Sequence, residues 1–514
     1  MHWADRIAGE IIASGKYKPY WVDDMKTPSG FAHIGSMLGP VIHSAIYRAL
    51  KDVGQESTLT YVFNDFDPAD EFPAVLKETL EGHQGEALKM VPSPDPKFSN
   101  LADFLSDDLK KSIEYLGFEA KYISSWDLYH QGKFDEVIKL SLDNSEKIQD
   151  IYQKVSGSAK KEGGWLPFQV ICEKCGKLGT TKVFSWDGEK VSYRCEPNLV
   201  TWAKGCGHEG KISPFGGTGK LPWKVDWAAH WKVIGVTIEG AGKDHASAGG
   251  SYDIAMAICK EVFNYPEPYK LPYEFILIGG RKMSSSKGVG LKAHDLVKIL
   301  PAEVARFLFI NADIGSQSNF DPVGTMAIPD LFDAYDKAWE TKSRSFVLSQ
   351  VKDIPSKSEK LFLPRFRDIA NYLSQGLSEK EVLGKFENSD VKIMQERIKY
   401  AKVWLTDYAP EEYIFEMTGD IPESVRKLTS EQKKYLGKVA ELFEKDVEAD
   451  SLQVELYNLS KELKIKPSDA FAAIYLAFLG KTHGPRAGVL LTNFGKEKVT
   501  GRISSIMKEG DLNG

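Results

Sequence analysis

The sequence predicts an α/β chain: a doubly wound parallel-sheet fold that carries a cysteine-bearing insertion and is followed by an all-α C-terminal region. Three observations lead there. Strand-like and helical stretches alternate over the first 70 residues and again from about 216 to 322. Between them, residues 71–215 hold four of the five cysteines and a turn-rich Val91-Pro92-Ser93-Pro94-Asp95-Pro96 segment. After about residue 322 the β signal fades and helical patterning runs to the end. At 514 residues the chain exceeds what one core supports. The expected division is 1–70 with 216–322, then 71–215, then 323–514.

Tyr20-Trp21-Val22 reads as the first strand, and Thr27-Pro28-Ser29-Gly30-Phe31-Ala32 as the turn after it. From Gly35 the pattern becomes helical, with Ile42, Ile46 and Leu50 at near-helical spacing. Ser57 to Phe63 is rich in β-branched and aromatic residues and forms the second strand, with Asp65 and Asp67 just beyond it. Amphipathic helices are expected around 100–116 and 133–155. Trp231 to Val236 reads as a strand, Ser251 to Phe263 as a helix, and the apolar run Phe275-Ile276-Leu277-Ile278 as a buried strand. The last clear helix runs from the N-cap candidate Ser468 to Gly480.

Two motifs carry the chemistry. Lys282-Met283-Ser284-Ser285-Ser286-Lys287-Gly288 sets cations and hydroxyls on a loop flanked by Gly279, Gly280, Gly288 and Gly290. Far upstream, His33-Ile34-Gly35-Ser36 opens a helix, where orphan N–H groups already favour phosphate. Displacement at phosphorus spreads negative charge over several oxygens, so it needs positioned donors rather than a covalent nucleophile. Together the motifs suit holding the triphosphate of ATP while a carboxylate attacks its α-phosphorus. Alone, His33 would be read as a packed histidine and the lysine run as a polar loop.

Cys172 and Cys175 form a tight thiolate pair freed to turn by Gly176. Nineteen residues separate this pair from Cys195, and ten more lie between Cys195 and Cys206, beside His208. Four soft ligands at this spacing suit one closed, structural tetrahedral zinc, with His208 an alternative to Cys206. Cys259, in an apolar helix, reads as a core thiol. Clustered cysteines, no signal-peptide pattern and no long apolar run make the cytoplasm the expected compartment, without a membrane span. The net charge of −6 does not exclude RNA, which needs a local basic face rather than a basic whole.

The two motifs resemble the signatures of class I aminoacyl-tRNA synthetases, and within that class the archaeal-type class I lysyl-tRNA synthetases. The likeness is spread along the chain. It includes Thr27-Pro28-Ser29-Gly30, Asn64-Asp65-Phe66-Asp67-Pro68, Cys172-x-x-Cys175-Gly176, Gly205 to Gly210, Lys220-Leu221-Pro222-Trp223, Gly242-Lys243-Asp244-His245, Gly249-Gly250-Ser251-Tyr252, Tyr273-Glu274 and Gly484-Pro485-Arg486. Two departures stand out. Ser36 and Leu38 occupy places where the family usually has a polar Asn or His and an Arg. Pro94-Asp95-Pro96 lacks the Cys and His that build a second metal cluster, so one zinc is expected.

The resemblance implies a Rossmann-like catalytic domain, a zinc-containing insertion at the tRNA acceptor end and an α-helical anticodon-binding domain. It implies ATP, Mg²⁺ and one Zn²⁺, with L-lysine and tRNA(Lys) as substrates, and a monomer is expected. His33, Gly35, Lys282, Ser284, Ser285 and Lys287 form the expected catalytic set, and Pro28, Ser36 and Met283 join them in holding ATP. A lysine substrate needs acids for its ammoniums and an aromatic wall for its stem. Asp65, Asp67, Glu239, Asp244 and Glu274 are the candidate acids, and Trp223, Trp227 and Tyr252 the candidate wall. Ser29, Gly30 and His245 join the amino-acid site by resemblance. In the C-terminal region, Lys481, Arg486, Lys496, Lys498, Arg502 and Lys508 form a basic excess that could follow RNA phosphates, with His483 and Phe494 as stacking groups. Three rivals stand beside this reading: a class I synthetase for glutamate, cysteine or arginine; a tRNA-independent amino acid ligase; and a non-catalytic zinc-containing RNA-binding protein.

Overall fold

The computed structural model describes the chain apart from residues 160–163, 283–290, 352–362, 387–388, 414, 416, 444–447 and 512–514. Two compact units divide it: Met1–Asp321 with Lys337–Pro355, and Pro322–Asp336 with Ser356–Gly514.

The first unit is built on five parallel strands: β1 (Tyr20–Lys26), β2 (Ser57–Phe63), β3 (Lys121–Ser124), β4 (Ile238–Gly242) and β5 (Tyr269–Tyr273). Their spatial order is β5-β4-β1-β2-β3. Val22 pairs with Leu59 on one side and Ile238 on the other, so β1 is central and Val22 is wholly buried. The chain runs outward from β1 through β2 to β3, then returns to fill the other side with β4 and β5. The crevice at that reversal, beyond the carboxyl ends of β1 and β4, is where such sheets bind ligands.

Helix α1 (Trp3–Ser14) precedes the sheet, and α2 (Leu38–Asp52) makes the crossover from β1 to β2. Val41, Ile42, Ala45, Ile46, Ala49 and Leu50 form its buried stripe. Helix α3 (Trp223–Ile234) leads into β4, and α4 (Ser251–Glu261) connects β4 to β5.

Four sequence expectations need correction. The strand placed at Trp231–Val236 is the end of α3: Trp223, Trp227 and Trp231 repeat every four residues, a helical spacing, and Gly235 at φ 92° ends the helix before β4 begins. The apolar run at 275–278 forms the strand Ile276–Ile278, but outside the parallel sheet; it pairs antiparallel with Arg281–Lys282 and parallel with Ser318–Asn319. The true fifth strand, Tyr269–Tyr273, lies just upstream. Strand β3 falls inside the stretch 71–215 expected as an insertion, so that stretch contributes to the sheet as well. The helix expected from Ser468 starts at Pro467 with Lys466 as N-cap, the fixed φ of proline suiting the first helical position.

The second unit is helical. Its core gathers Tyr435, Leu436, Leu456, Ile474, Phe478, Leu491 and Ile503. Two members of the proposed RNA-facing set are spent inside it. Arg502 is 8% exposed and donates to the carbonyls of Thr418, Gly419 and Asp420, and Phe494 stacks on Phe478. Arg486 pairs with Asp450 at 2.7 Å. Among the described residues, no helix is long and apolar enough to cross a membrane.

One buried cation braces the first unit. Arg306, on the helix Ala302–Ile310, is fully buried and donates to the Leu348 and Leu116 carbonyls, both at 2.8 Å, and to Ser44 Oγ of α2 at 2.7 Å. Arg306→Met should cost about 3 kcal/mol or more in chemical denaturation, because three buried acceptors lose a charged donor. Wild-type stability in the variant would show that these bonds are dispensable.

Candidate functional site

Three adjoining cavities run across the carboxyl ends of the strands. The first, about 260 Å³, lies between the His33 turn and β5, lined by Asp24, Lys26, His33, Gly35, Ser36, Gly242, Asp244, His245, Tyr273 and Glu274 among others. The second, about 390 Å³, is lined by Met25, Lys26, Thr27, Ser29, Asn64, Asp67, Trp223, Asp226, Trp227 and His245. The third, about 920 Å³, shares Thr27, Ser29, Asp67 and Trp223 with the second and extends to Trp165, Lys182, Leu199 and Trp202. Met25, Lys26 and His245 are common to the first two.

The His33 turn is tied on both flanks. His33 bridges to Lys292, the Ile34 N–H donates to the Leu291 carbonyl at 2.9 Å, and the Ala293 N–H to the Ala32 carbonyl at 2.8 Å. A 3₁₀ turn, Ile34–Met37, follows before α2 begins at Leu38, one turn later than the sequence pattern placed it. Among the described residues Ser36 Oγ is buried without a hydrogen-bond partner, and it lines the first cavity, so this serine offers a hydroxyl there despite its short side chain. The segment Met283 to Lys287 lies outside the described residues, and of Lys282 only the backbone is described, in its pair with Leu277.

The middle cavity has an aromatic wall. Trp223 and Trp227 stack with centroids 6.0 Å apart, and His245 meets both, at 5.4 and 5.9 Å. Behind them, Glu239 is 1% exposed and accepts from the indole N–H groups of Trp227, at 2.9 Å, and Trp231. Burial holds its carboxyl well above the usual carboxylate range. Glu239 thus fixes the wall and does not line the cavity. Tyr252 is fully buried, donating to the Glu239 carbonyl at 2.8 Å, and is equally part of the support.

The other candidates divide. Asp65 lines none of the three cavities: its oxygens accept from Ser124 Oγ at 2.6 Å and the Trp126 N–H at 2.8 Å, which caps the helix Ser125–His130. Pro28 and Gly30 also lie outside the linings, whereas Ser29 lines two. Glu274 borders the first cavity and accepts from Lys243 Nζ at 2.7 Å.

Two groups escaped the sequence reading. Lys220 is buried and bridges Asp67 at 2.5 Å and Asp226 at 3.1 Å. Asp67 also accepts from Thr27 Oγ1 at 2.5 Å, and Asp226 from the Tyr129 hydroxyl at 2.5 Å. Burial acts to lower the Lys220 pKa, but the two carboxylates outweigh it and hold the pKa above the ordinary lysine range. Only the order Lys220-Leu221-Pro222-Trp223 signalled this position; nothing local forecasts its partners. Asn64 lines the middle cavity with a buried Oδ1 that has no hydrogen-bond partner among the described residues.

Away from the cavities, the strands Thr181–Trp186, Val191–Cys195 and Glu209–Ile212 form a three-stranded sheet. At the end of its central strand, the Sγ atoms of Cys172, Cys175, Cys195 and Cys206 all lie within 4.8 Å of one another. Cys172–Cys206 and Cys175–Cys195 stand 3.7 Å apart. Zn–S bonds of about 2.3 Å in a tetrahedron require S···S edges of about 3.8 Å, so the set fits that ion. His208 stays outside the cluster, its carbonyl accepting from the Cys195 N–H at 2.8 Å.

Lys220→Met should destabilise the first unit by about 3–5 kcal/mol, since it leaves two carboxylates uncompensated. Unchanged denaturation would show that the pair relaxes into water. Glu239→Leu should free both indoles and alter tryptophan fluorescence even where the fold persists.

Comparison with known proteins bears on the whole chain. Residues 1–356 match the family described as tRNA synthetases class I (K), and residues 360–507 match an anticodon binding domain. A protein of Archaeoglobus fulgidus called lysine–tRNA ligase is 35% identical over 99% of this chain and 100% of its own length. Proteins with the same name from Methanocaldococcus jannaschii and Methanosphaera stadtmanae are 33% and 31% identical, each over 98% of this chain and 99% of its own length. Set on the parallel sheet, the helical second unit and the His33 turn, these matches establish that the chain belongs to the class I (K) family of tRNA synthetases.

Proposed function

We propose that this protein attaches L-lysine to tRNA(Lys) through a lysyl-adenylate. The observation that carries the reading is the end-to-end likeness to lysine–tRNA ligases, and the run of cavities supports it. The first cavity, beside His33 and Ser36, takes ATP. The middle cavity takes the amino acid, its stem against Trp223 and Trp227 and an ammonium facing Asn64 Oδ1. The large third cavity admits the tRNA acceptor end.

The lysine carboxylate attacks the α-phosphorus and pyrophosphate departs. The 2′-hydroxyl of the terminal ribose then takes the aminoacyl group. Mg²⁺ accompanies ATP as counter-ion to its phosphates. His33, Ser36, Lys282, Ser284, Ser285 and Lys287 supply donors and charge to the phosphates. Cys172, Cys175, Cys195 and Cys206 hold one structural zinc, whose four protein ligands leave no open position for catalysis. The second unit reads the anticodon, with Lys481, His483, Lys496, Lys498 and Lys508 as candidates left after Arg502 and Phe494 are assigned to the core and Arg486 to its pair with Asp450. In solution a monomer is expected, working in the cytoplasm.

Amino acid-dependent ATP–pyrophosphate exchange tests the assignment. Lysine should support it and glutamate, cysteine and arginine should not; exchange driven by one of those three instead would overturn the specificity. Lys282→Ala should lower the exchange kcat by about 10²–10³ with lysine affinity little changed, since its charge acts mainly on the transition state. Metal analysis should find one zinc per chain. Cys172→Ser should lose it and impair tRNA charging more than pyrophosphate exchange.

A further inference from the structure

Lys26 is the last residue of β1 and lines both the first and the middle cavity. Among the residues lining the two, only Met25 and His245 share that position. Where the described residues are concerned, its ammonium has no ion-pair or hydrogen-bond partner, in contrast to Lys220, Lys243 and Lys270, each within 3.2 Å of a carboxylate. Asp24, two residues back on β1, acts on it only through space, and Asp24 Oδ1 is taken by the Met25 N–H at 2.9 Å. Burial lowers the Lys26 pKa, outweighing the opposite, through-space effect of Asp24. A lone ammonium at the seam of two cavities repels the cationic ends of lysine and attracts anions. In the reaction proposed above, the anions that meet at this seam are the amino-acid carboxylate and the α-phosphate.

We propose that Lys26 is a catalytic residue of adenylate formation, its ammonium contacting the oxygens that gain charge as the substrate carboxylate adds to the α-phosphorus. One O–P bond forms, and the bond from the α-phosphorus to the bridging oxygen of pyrophosphate breaks, with its electron pair leaving on pyrophosphate. Lys26 keeps its proton throughout and supplies charge alone. The inference rests on the lysine-adenylating reading and adds a residue that neither signature motif contains.

The test uses full-length protein. In lysine-dependent ATP–pyrophosphate exchange, Lys26→Met should lower kcat about 100-fold or more, with KM for ATP and lysine within about threefold of wild type. Lys26→Arg should recover most of that loss. Single-turnover transfer from pre-formed lysyl-adenylate to tRNA should be unaffected in both. Lys26→Gln serves where the methionine variant unfolds, as judged by circular dichroism. A folded Met or Gln variant with a kcat near wild type, or with only a raised KM, would overturn the proposal, as would equal loss in the transfer step. Failure of the wild type itself to exchange with lysine would instead overturn the proposed function.

Discussion

Helix α2 must come unusually close to the sheet where the strand order reverses, and the site is arranged around that approach. A Cβ on Gly39 would sit 2.8 Å from Asp24 Oδ2, and one on Gly240 would sit 2.9 Å from the Leu271 carbonyl oxygen. With both side chains absent, His43 fits between helix and strand. Its Nδ1 donates to the Gly39 carbonyl at 2.7 Å, and its Nε2 accepts the Gly240 N–H at 2.7 Å. That pair of bonds fixes the tautomer and pins α2 to β4. The His33 turn, which runs directly into α2, is thereby aimed over the crevice.

From this anchor the rest of the site follows in layers. Trp227 and Trp231 lie on one face of α3 and are held by a single buried carboxylate, Glu239, on the strand that α2 grips. Asp23 is the register partner of Glu239 and is wholly buried; burial pushes it up to about 8, against the Thr60 hydroxyl that favours its charged form. Two acids on adjacent strands inside a core are costly unless protonated or bonded. Here the indoles and a threonine hydroxyl share the task. The visible consequence is a fixed wall for the middle cavity, with Trp227 lining it and Glu239, Trp231 and Tyr252 bracing it from behind.

The Lys220 bridge closes the opposite side. Asp67 follows β2 and Asp226 sits in the first turn of α3, so one ammonium ties the sheet to the helix that carries the wall. A buried lysine between two carboxylates orients both of them. Both acids already share the Lys220 ammonium, so in the function proposed above the neutral acceptor of Asn64 takes a larger part in recognising a cationic substrate. Lys26 is the opposite case, a cation without an ion-pair partner among the described residues, lining both the first and the middle cavity.

The sequence alone determined the parallel α/β class, the first two strands, the helical C-terminal region and the four-cysteine set, because each depends on local composition or short spacing. Ser57–Phe63 is β-rich by itself, and a thiolate pair flanked by Gly176 folds into a knuckle wherever it occurs. Local pattern failed where apolar runs admit two readings: Trp231–Ile234 is helical because a tryptophan stripe needs Glu239 behind it, and Ile276–Ile278 is excluded from the main sheet because Tyr269–Tyr273 already occupies that edge. The roles of individual acids were equally illegible. Asp65, Asp67 and Glu239 all follow or lie on strands and look alike in sequence, yet one caps a helix, one holds a buried lysine and one supports two indoles. Those assignments depend on partners between 8 and 153 residues away in sequence, on other elements of the fold, so only tertiary packing, which decides what each carboxylate meets once water is removed, could make them.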